Sequence, residues 1–215
     1  SRTSCVLHSS GAVVTRAKKW YDITRSSGAY SATADGGWSS TILGGILILT
    51  NGVDDPQFWA LTDGGPLSST LMADLSNWPA STECEVMKAF RTFLVALNVT
   101  KSAVPYRRLV KWSTEAATQT VPGTSGWDES SSTNDAGEYE LREGSNIVEG
   151  LPLGDTFMIY TENSCWQMSY VGTPFIFSFR LHDATVGALT KNCVAAFSGG
   201  HFIFGNGDLF LNDGQ

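Results

Sequence analysis

One pattern restricts the fold more than any other. A short apolar run that ends at an asparagine turn occurs four times, over Leu43 to Gly52, Phe90 to Asn98, Leu153 to Asn163 and Phe197 to Gly207. A second strand-like segment follows each run: Gln57 to Trp59, Leu109 to Trp112, Ser164 to Met168 and Asp208 to Leu211. Runs of four to eight β-branched and aromatic residues between turn residues predict strands. Because these runs are continuously apolar, both faces of each strand should be buried. Anchor residues Ile46, Phe93, Phe157 and Phe202 recur at intervals of 45 to 65 residues. That period suits one four-stranded antiparallel sheet per repeat, as in a β-propeller. A lone sheet would leave both faces bare, and radial stacking against neighbouring sheets covers them. A β-sandwich, whose strands also recur, is the alternative.

Composition agrees with an all-β chain. Charged residues make up 16% of the sequence and apolar residues 42%, with 22 glycines. The one helical spacing is Leu67, Leu71 and Leu75, which predicts a short helix over Pro66 to Leu75. Asn51-Gly52 and Asn206-Gly207 predict type I′ hairpins. Residues 113–145 form a long polar insertion, too poor in branched apolar side chains to build a core of its own, and so predict a surface loop. The whole span 1–215 reads as part of a β-propeller domain. A chain that opens on Ser1 and ends on the turn-like Leu211 to Gln215 is expected to be a segment of a longer polypeptide.

A formal charge of -7 argues against a general nucleic-acid coat or a binder of anionic membranes, both of which need a basic face. No apolar run reaches the roughly 20 residues that span a bilayer. Cys5, Cys84, Cys165 and Cys193 form no CxxC pair, so they read as buried free thiols and not as a zinc site. No HExxH, GxSxG, P-loop or dinucleotide fingerprint occurs. His201, beside Gly199-Gly200, reads as a packing or capping residue, and His182-Asp183 lacks a nucleophile at a strained turn. The carboxylate pairs Asp54-Asp55, Asp128-Glu129, Glu138/Glu140 and Glu83/Glu85 are candidates for glycoside chemistry, which needs two carboxylates about 5–10 Å apart. Ala34-Asp35-Gly36-Gly37-Trp38 only grazes the sialidase-type repeat. Asn206, Asp208, Asn212 and Asp213 offer oxygens but lack EF-hand spacing. The expectation is therefore no enzyme, no cofactor and no metal.

Two places stand out as contact residues. Trp127, with Asp128 and Glu129, sits in the polar insertion. It either tucks back onto the blade beneath or anchors a neighbouring subunit, since Trp is enriched in interface hot spots. Trp20 and Tyr21 follow the basic group Arg16, Lys18 and Lys19. A second basic group is Arg107, Arg108 and Lys111.

Tyr160 to Gly172, then Phe175 to Arg180, Gly187 to Leu189, Asn192 to Val194, His201 to Phe204 and Asp208 to Gly214, together resemble a segment of tailed-bacteriophage virion proteins. Gly28 to Tyr30 with Trp38, Asn51 to Asp54 with Pro56-Gln57, and Phe93 to Leu97 extend the likeness across most of the chain. The family is the β-propeller tail hub or nozzle type of short-tailed phages, the DNA-stabilisation or tail-tubular-protein-B kind. The resemblance implies a structural part of the virion tail or neck, made in the host cytoplasm before assembly. It implies self-association into a ring, often sixfold, with portal-adaptor, neck, tail or fibre proteins as partners. It implies no membrane contact and at most non-specific proximity to phage DNA. Family members are several hundred residues long. A propeller that binds or cleaves host glycans is the alternative function.

Overall fold

The computed structural model describes residues 4–6, 20–22, 25–31, 37–59, 71–131 and 133–214. Strands β1 (Ser4–Val6) and β2 (Trp20–Asp22) pair as a two-stranded ribbon. Blade 1 is β3 (Ser39–Leu43), β4 (Ile46–Thr50), β5 (Gln57–Trp59) and β6 (Ala73–Asp74). Blade 2 is β7 (Thr82–Phe90), β8 (Phe93–Lys101), β9 (Val104–Trp112) and β10 (Gly137–Glu140). Blade 3 is β11 (Ile147–Leu153), β12 (Thr156–Thr161), β13 (Cys165–Gly172) and β14 (Ile176–Asp183). Blade 4 is β15 (Val194–Phe197), β16 (Gly200–Phe204) and β17 (Leu209–Asn212). Each blade is an antiparallel meander in chain order, and the four are arranged as a β-propeller. Among the described residues there is no helix, and none long and apolar enough to cross a membrane.

The repeating apolar runs are β4, β8, β12 and β16, the second strand of every blade, and their followers are the third strands. In β8, Phe93, Val95 and Leu97 pack towards blade 3, while Leu94 and Ala96 pack towards blade 1. Three apolar cores result, one at each junction between consecutive blades. The largest, between blades 2 and 3, sets Phe157 against Phe90 with ring centroids 5.5 Å apart and gathers Trp112, Trp166 and Phe177 around them. Strict alternation breaks once. Asn98 takes a positive φ of 54° and sends its side-chain amide to the Ile147 carbonyl of blade 3 at 2.9 Å. The next residue, Val99, then faces blade 1 like Ala96, because one irregular residue shifts the period-two pattern.

The first strands lie inward and are tied by polar groups. Ser39 and Thr41 of β3 hydrogen-bond backbone groups of Met87 and Ala89 in β7, so this strand edge is capped by side chains. Lys88 of blade 2 meets Glu149 of blade 3 at 3.3 Å, and the same carboxylate accepts the Asn192 amide that leads into blade 4. Lys191 reaches Glu85 of blade 2 at 2.9 Å and the Gly37 carbonyl ahead of blade 1 at 2.8 Å. Glu149 is only 1% exposed, so its charge is compensated at short range.

Several expectations need correction. The helix expected over Pro66 to Leu75 does not extend through its described part: residues 66–70 lie outside the described residues, Met72 bridges Arg25, and Ala73–Asp74 is β6. Leu75 is buried in the junction between blades 1 and 2, and pairing to β5 overrides its helical spacing. In both Asn-Gly turns only the glycine has positive φ, so neither is type I′. The doubly positive turns are Gly44-Gly45 and Ser102-Ala103. Blade 4 has three strands, not four. The insertion is shorter than 113–145, since Gly137–Glu140 pairs with β9 as β10.

Replacing Phe157 by Ala should destabilise the fold by roughly 3–5 kcal/mol, the usual cost of removing a buried aromatic ring. Urea unfolding followed by tryptophan fluorescence measures it. An effect below about 1 kcal/mol would show that the blade 2–3 junction is not the main core.

Candidate functional site

Residues 113–136 leave β9, double back and return as β10. The loop is held from inside. Trp127 is 2% exposed and meets Trp78 edge-on, with ring centroids 4.7 Å apart. It joins Ala116 and Val121 against the core between blades 1 and 2, so the insertion contributes to a core although its composition could not build one alone. Trp78 in turn donates its indole N–H to the Thr82 carbonyl at 2.5 Å. Thr114 N donates to Gly126 O at 2.8 Å, and Asn134 Nδ2 to Ser125 O at 2.9 Å, which closes the loop on itself.

Beside Trp127 lies a cleft of about 330 Å³, with Lys101, Lys111, Asp128 and Glu129 in its wall. Lys101, Lys111 and Glu129 join Glu138, which lies outside the cleft wall, in a four-charge ring. Lys111 binds Glu129 and lies 3.6 Å from Glu138, while Lys101 binds Glu138 and lies 3.6 Å from Glu129. Lys111 is 2% exposed, a buried ammonium matched by two carboxylates. Burial by itself would raise the Glu129 carboxyl. The hydrogen bond from Lys111 and the charges of both lysines outweigh it and hold the group below its ordinary value. Burial likewise pulls the Lys101 ammonium down, and its carboxylate partners more than compensate, leaving it raised. The Glu129 carboxylate is thus stabilised in its charged form by the two lysines beside it. The Trp127 indole Nε1 is buried without a hydrogen-bond partner.

A second polar cluster lies on blade 1. Asp54 pairs with Arg25 at 3.1 Å and accepts hydrogen bonds from Asn51 Nδ2 and Ser31 N, both at 2.8 Å. Desolvation opposes this carboxylate, but those donors and Arg25 hold it below its ordinary value. Asp55 moves the other way, raised by desolvation and then by the negative charge of Asp74. Tyr30 packs edge-on to Trp38 at 4.9 Å and lies under Arg25.

A third cluster is sealed between blades 3 and 4. His201 is fully buried; its Nε2 donates to the Pro152 carbonyl at 3.0 Å, so its Nδ1 accepts from Tyr160 OH at 2.8 Å. Asn212 Nδ2 completes the chain by donating to Tyr160 OH at 3.0 Å. Burial raises the Tyr160 phenol, pushes the Cys165 thiol up to about 12 and lowers the His201 imidazole. His201 is thus a satisfied packing residue.

The structure brings Trp127, Asp128 and Glu129 to one cleft but turns Trp127 inward, so the tucked reading is the one observed. Asp128 caps the turn by accepting from Ser130 N and Oγ. Trp20 and Tyr21 fall in β2, and their side chains lie outside the described residues. His8, Arg16, Lys18, Lys19 and residues 34–36 also lie outside them. The second basic group is dispersed: Lys111 is buried in the charge ring, while Arg108 pairs with Glu140 at 3.3 Å. Glu85 is paired with Lys191, and Asp183 takes the Thr185 and Val186 amides. Asn212 faces inward to Tyr160 and Asp208 takes the Leu209 amide. Among the described residues no three His, Cys, Asp or Glu side chains are placed to hold a metal. Cys84, Cys165 and Cys193 are free thiols. Lys101 escaped sequence reading, and the sequence placed Glu138 in a carboxylate pair and Lys111 in a basic group without joining them, although a lone lysine between Val110 and Trp112 is a signal that a counter-charge lies near.

The fold defines the chain as a β-propeller protein. No protein-family model matches its sequence, and no curated protein shows significant similarity to it.

Two outcomes are expected. The double change Glu129→Gln with Glu138→Gln strands Lys111 and should cost about 3 kcal/mol, whereas Lys111→Met should cost less than half of that. Denaturant titration of both variants checks the order, and equal costs would count against a buried, compensated lysine. The lowered His201 imidazole gives stability that is complete above its unfolded value, near 6.5, and that fades as pH falls below it. In His201→Gln the loss of melting temperature between about pH 7 and pH 5 should be shallower than in the parent chain. Parallel curves would refute the assignment.

Proposed function

We propose that this chain is a structural component of a tailed-phage virion, part of a tail nozzle, hub or neck ring that docks other tail proteins. The observation that carries the reading is the blade 2 insertion. It is pinned from below by Trp127 and by the Lys111–Glu129 pair, and it presents Asp128, Ser130, Ser131 and Thr133 outward. A loop ordered before contact loses little freedom on docking, which suits a permanent assembly. The lysines and glutamates beneath it pair with one another. The residue resemblance, strongest over roughly the last third of the chain, points to the same class.

One observation favours the glycan reading instead. Asp54 and Asp55 are driven apart in acidity next to Tyr30 and Trp38, and divergent carboxyl environments are how acid and base roles are set. One experiment separates the two. Mass spectrometry and immunogold microscopy of gradient-purified particles from the producing culture should find this chain at the tail or neck. Reversing the loop charge with Asp128→Lys should lower its incorporation at least tenfold with the melting temperature unchanged. Absence from particles, with calorimetric saccharide binding that Asp55→Asn abolishes, would overturn the virion reading in favour of the glycan one.

A further inference from the structure

Blades 2 and 3 hide both faces of their second strands, but blade 4 hides only one. In β16, His201 and Ile203 are buried against blade 3, while Phe202 and Phe204 alternate with them and face outward. Residues directly opposite in antiparallel strands share a face. Ala195 and Leu211 therefore flank Phe202 on the outer surface, and Leu209 lies beside Phe204. Phe197 packs on Phe202 with ring centroids 4.6 Å apart. Phe197, Phe202, Phe204, Leu209 and Leu211 are between 41% and 60% exposed, and no residue of this surface is charged. A continuous apolar sheet face of this kind marks a contact site.

The size of the face suits a second copy of itself. A large apolar side chain presents roughly 200 Å² when bare, so these fractions leave about 500 Å² of apolar surface on one copy. Two such faces that meet bury about 1,000 Å², the size at which a specific, reversible contact begins. Charge points the same way. Each chain carries a formal charge of -7, so two copies repel wherever acidic surfaces approach. A face without charges is where that repulsion is least and where apolar burial can outweigh it. The construction of the molecule agrees. Each of its three cores is one sheet face laid on another, with apolar second strands contributed from both sides. Blade 4 of a second copy offers the same kind of counterpart, an apolar second strand between apolar neighbours.

We propose that the outer face of blade 4 joins two copies of this chain, sheet on sheet, about a two-fold axis. Phe202 and Phe204, on the middle strand, form the centre of the contact, and Phe197, Leu209 and Leu211 form its margin. Such a contact uses the same surface on both copies and closes at two, unlike the head-to-tail contacts of a larger ring. It does not rest on the virion reading.

Sedimentation equilibrium of the whole chain tests the proposal. At micromolar concentration the mass should rise to twice the 23.1 kDa of one copy and no further. Added salt should strengthen the association, because it screens the repulsion between two acidic chains. Leu211→Glu and, independently, Phe202→Glu place an unpaired charge in the contact. Each should raise the dissociation constant at least about a hundredfold, with the circular-dichroism spectrum unchanged. Ile42→Glu, at an exposed apolar site on blade 1, should leave the dissociation constant as it was. A mass that stays at one copy would assign the face to a different partner and overturn the proposal. Assemblies that grow beyond two copies would overturn it, as would a dimer that tolerates both blade 4 variants.

Discussion

A sheet whose second strand is apolar on both sides has nowhere to place its second face except against another sheet. Everything else in this molecule follows from that requirement. Leu94 and Phe93 are neighbours in sequence, yet they belong to different cores, one shared with blade 1 and one with blade 3. No blade is therefore a self-sufficient unit, and the radial stack is the smallest arrangement that removes these side chains from water. The large aromatic rings gather at the blade 2–3 junction, where Phe157, Phe177, Trp112 and Trp166 fill the space between two full sheets.

Polar groups then decide how the stack is registered. The charged side chains that enter the interior do so in matched sets: Lys88 with Glu149, Lys111 with Glu129 and Glu138, Arg25 with Asp54. A buried charge without a partner is costly, so each set fixes the relative position of the elements that carry it. The Lys111 set holds the blade 2 insertion to its own sheet, and the Lys88 set holds blade 2 to blade 3. The blade 2 insertion is thus anchored to the sheet beneath it.

Much of this order was legible in the amino-acid sequence. The four apolar runs are the second strands and their followers the third strands, because a continuously apolar run of that length has only one comfortable environment. The outer strands were not legible. β6 is two residues long and β10 is Gly-Glu-Tyr-Glu, so pairing with a neighbour, not propensity, makes them strands. The turn signals misled for a related reason. Asn51 uses its side-chain oxygen to accept the Val53 and Asp54 amides, which organises a longer loop, while the tight turn falls at Ser102-Ala103, where nothing in the composition announces it. In the candidate site, Asp128 and Glu129 were visible as acidic loop residues. Their basic counterparts were hidden in strands 18 or more residues away, and only the fold brings Lys111 and Lys101 beneath them.

Glu149 has a broader consequence. A chain of repeated units ordinarily melts piece by piece, each piece coupled only to its neighbour. One carboxylate here serves three units at once: it lies in blade 3, accepts the ammonium of blade 2 and accepts the amide that leads into blade 4. It works as a keystone, so that peeling away either flanking sheet unseats the other. Such a hub couples units that a purely nearest-neighbour array would leave independent.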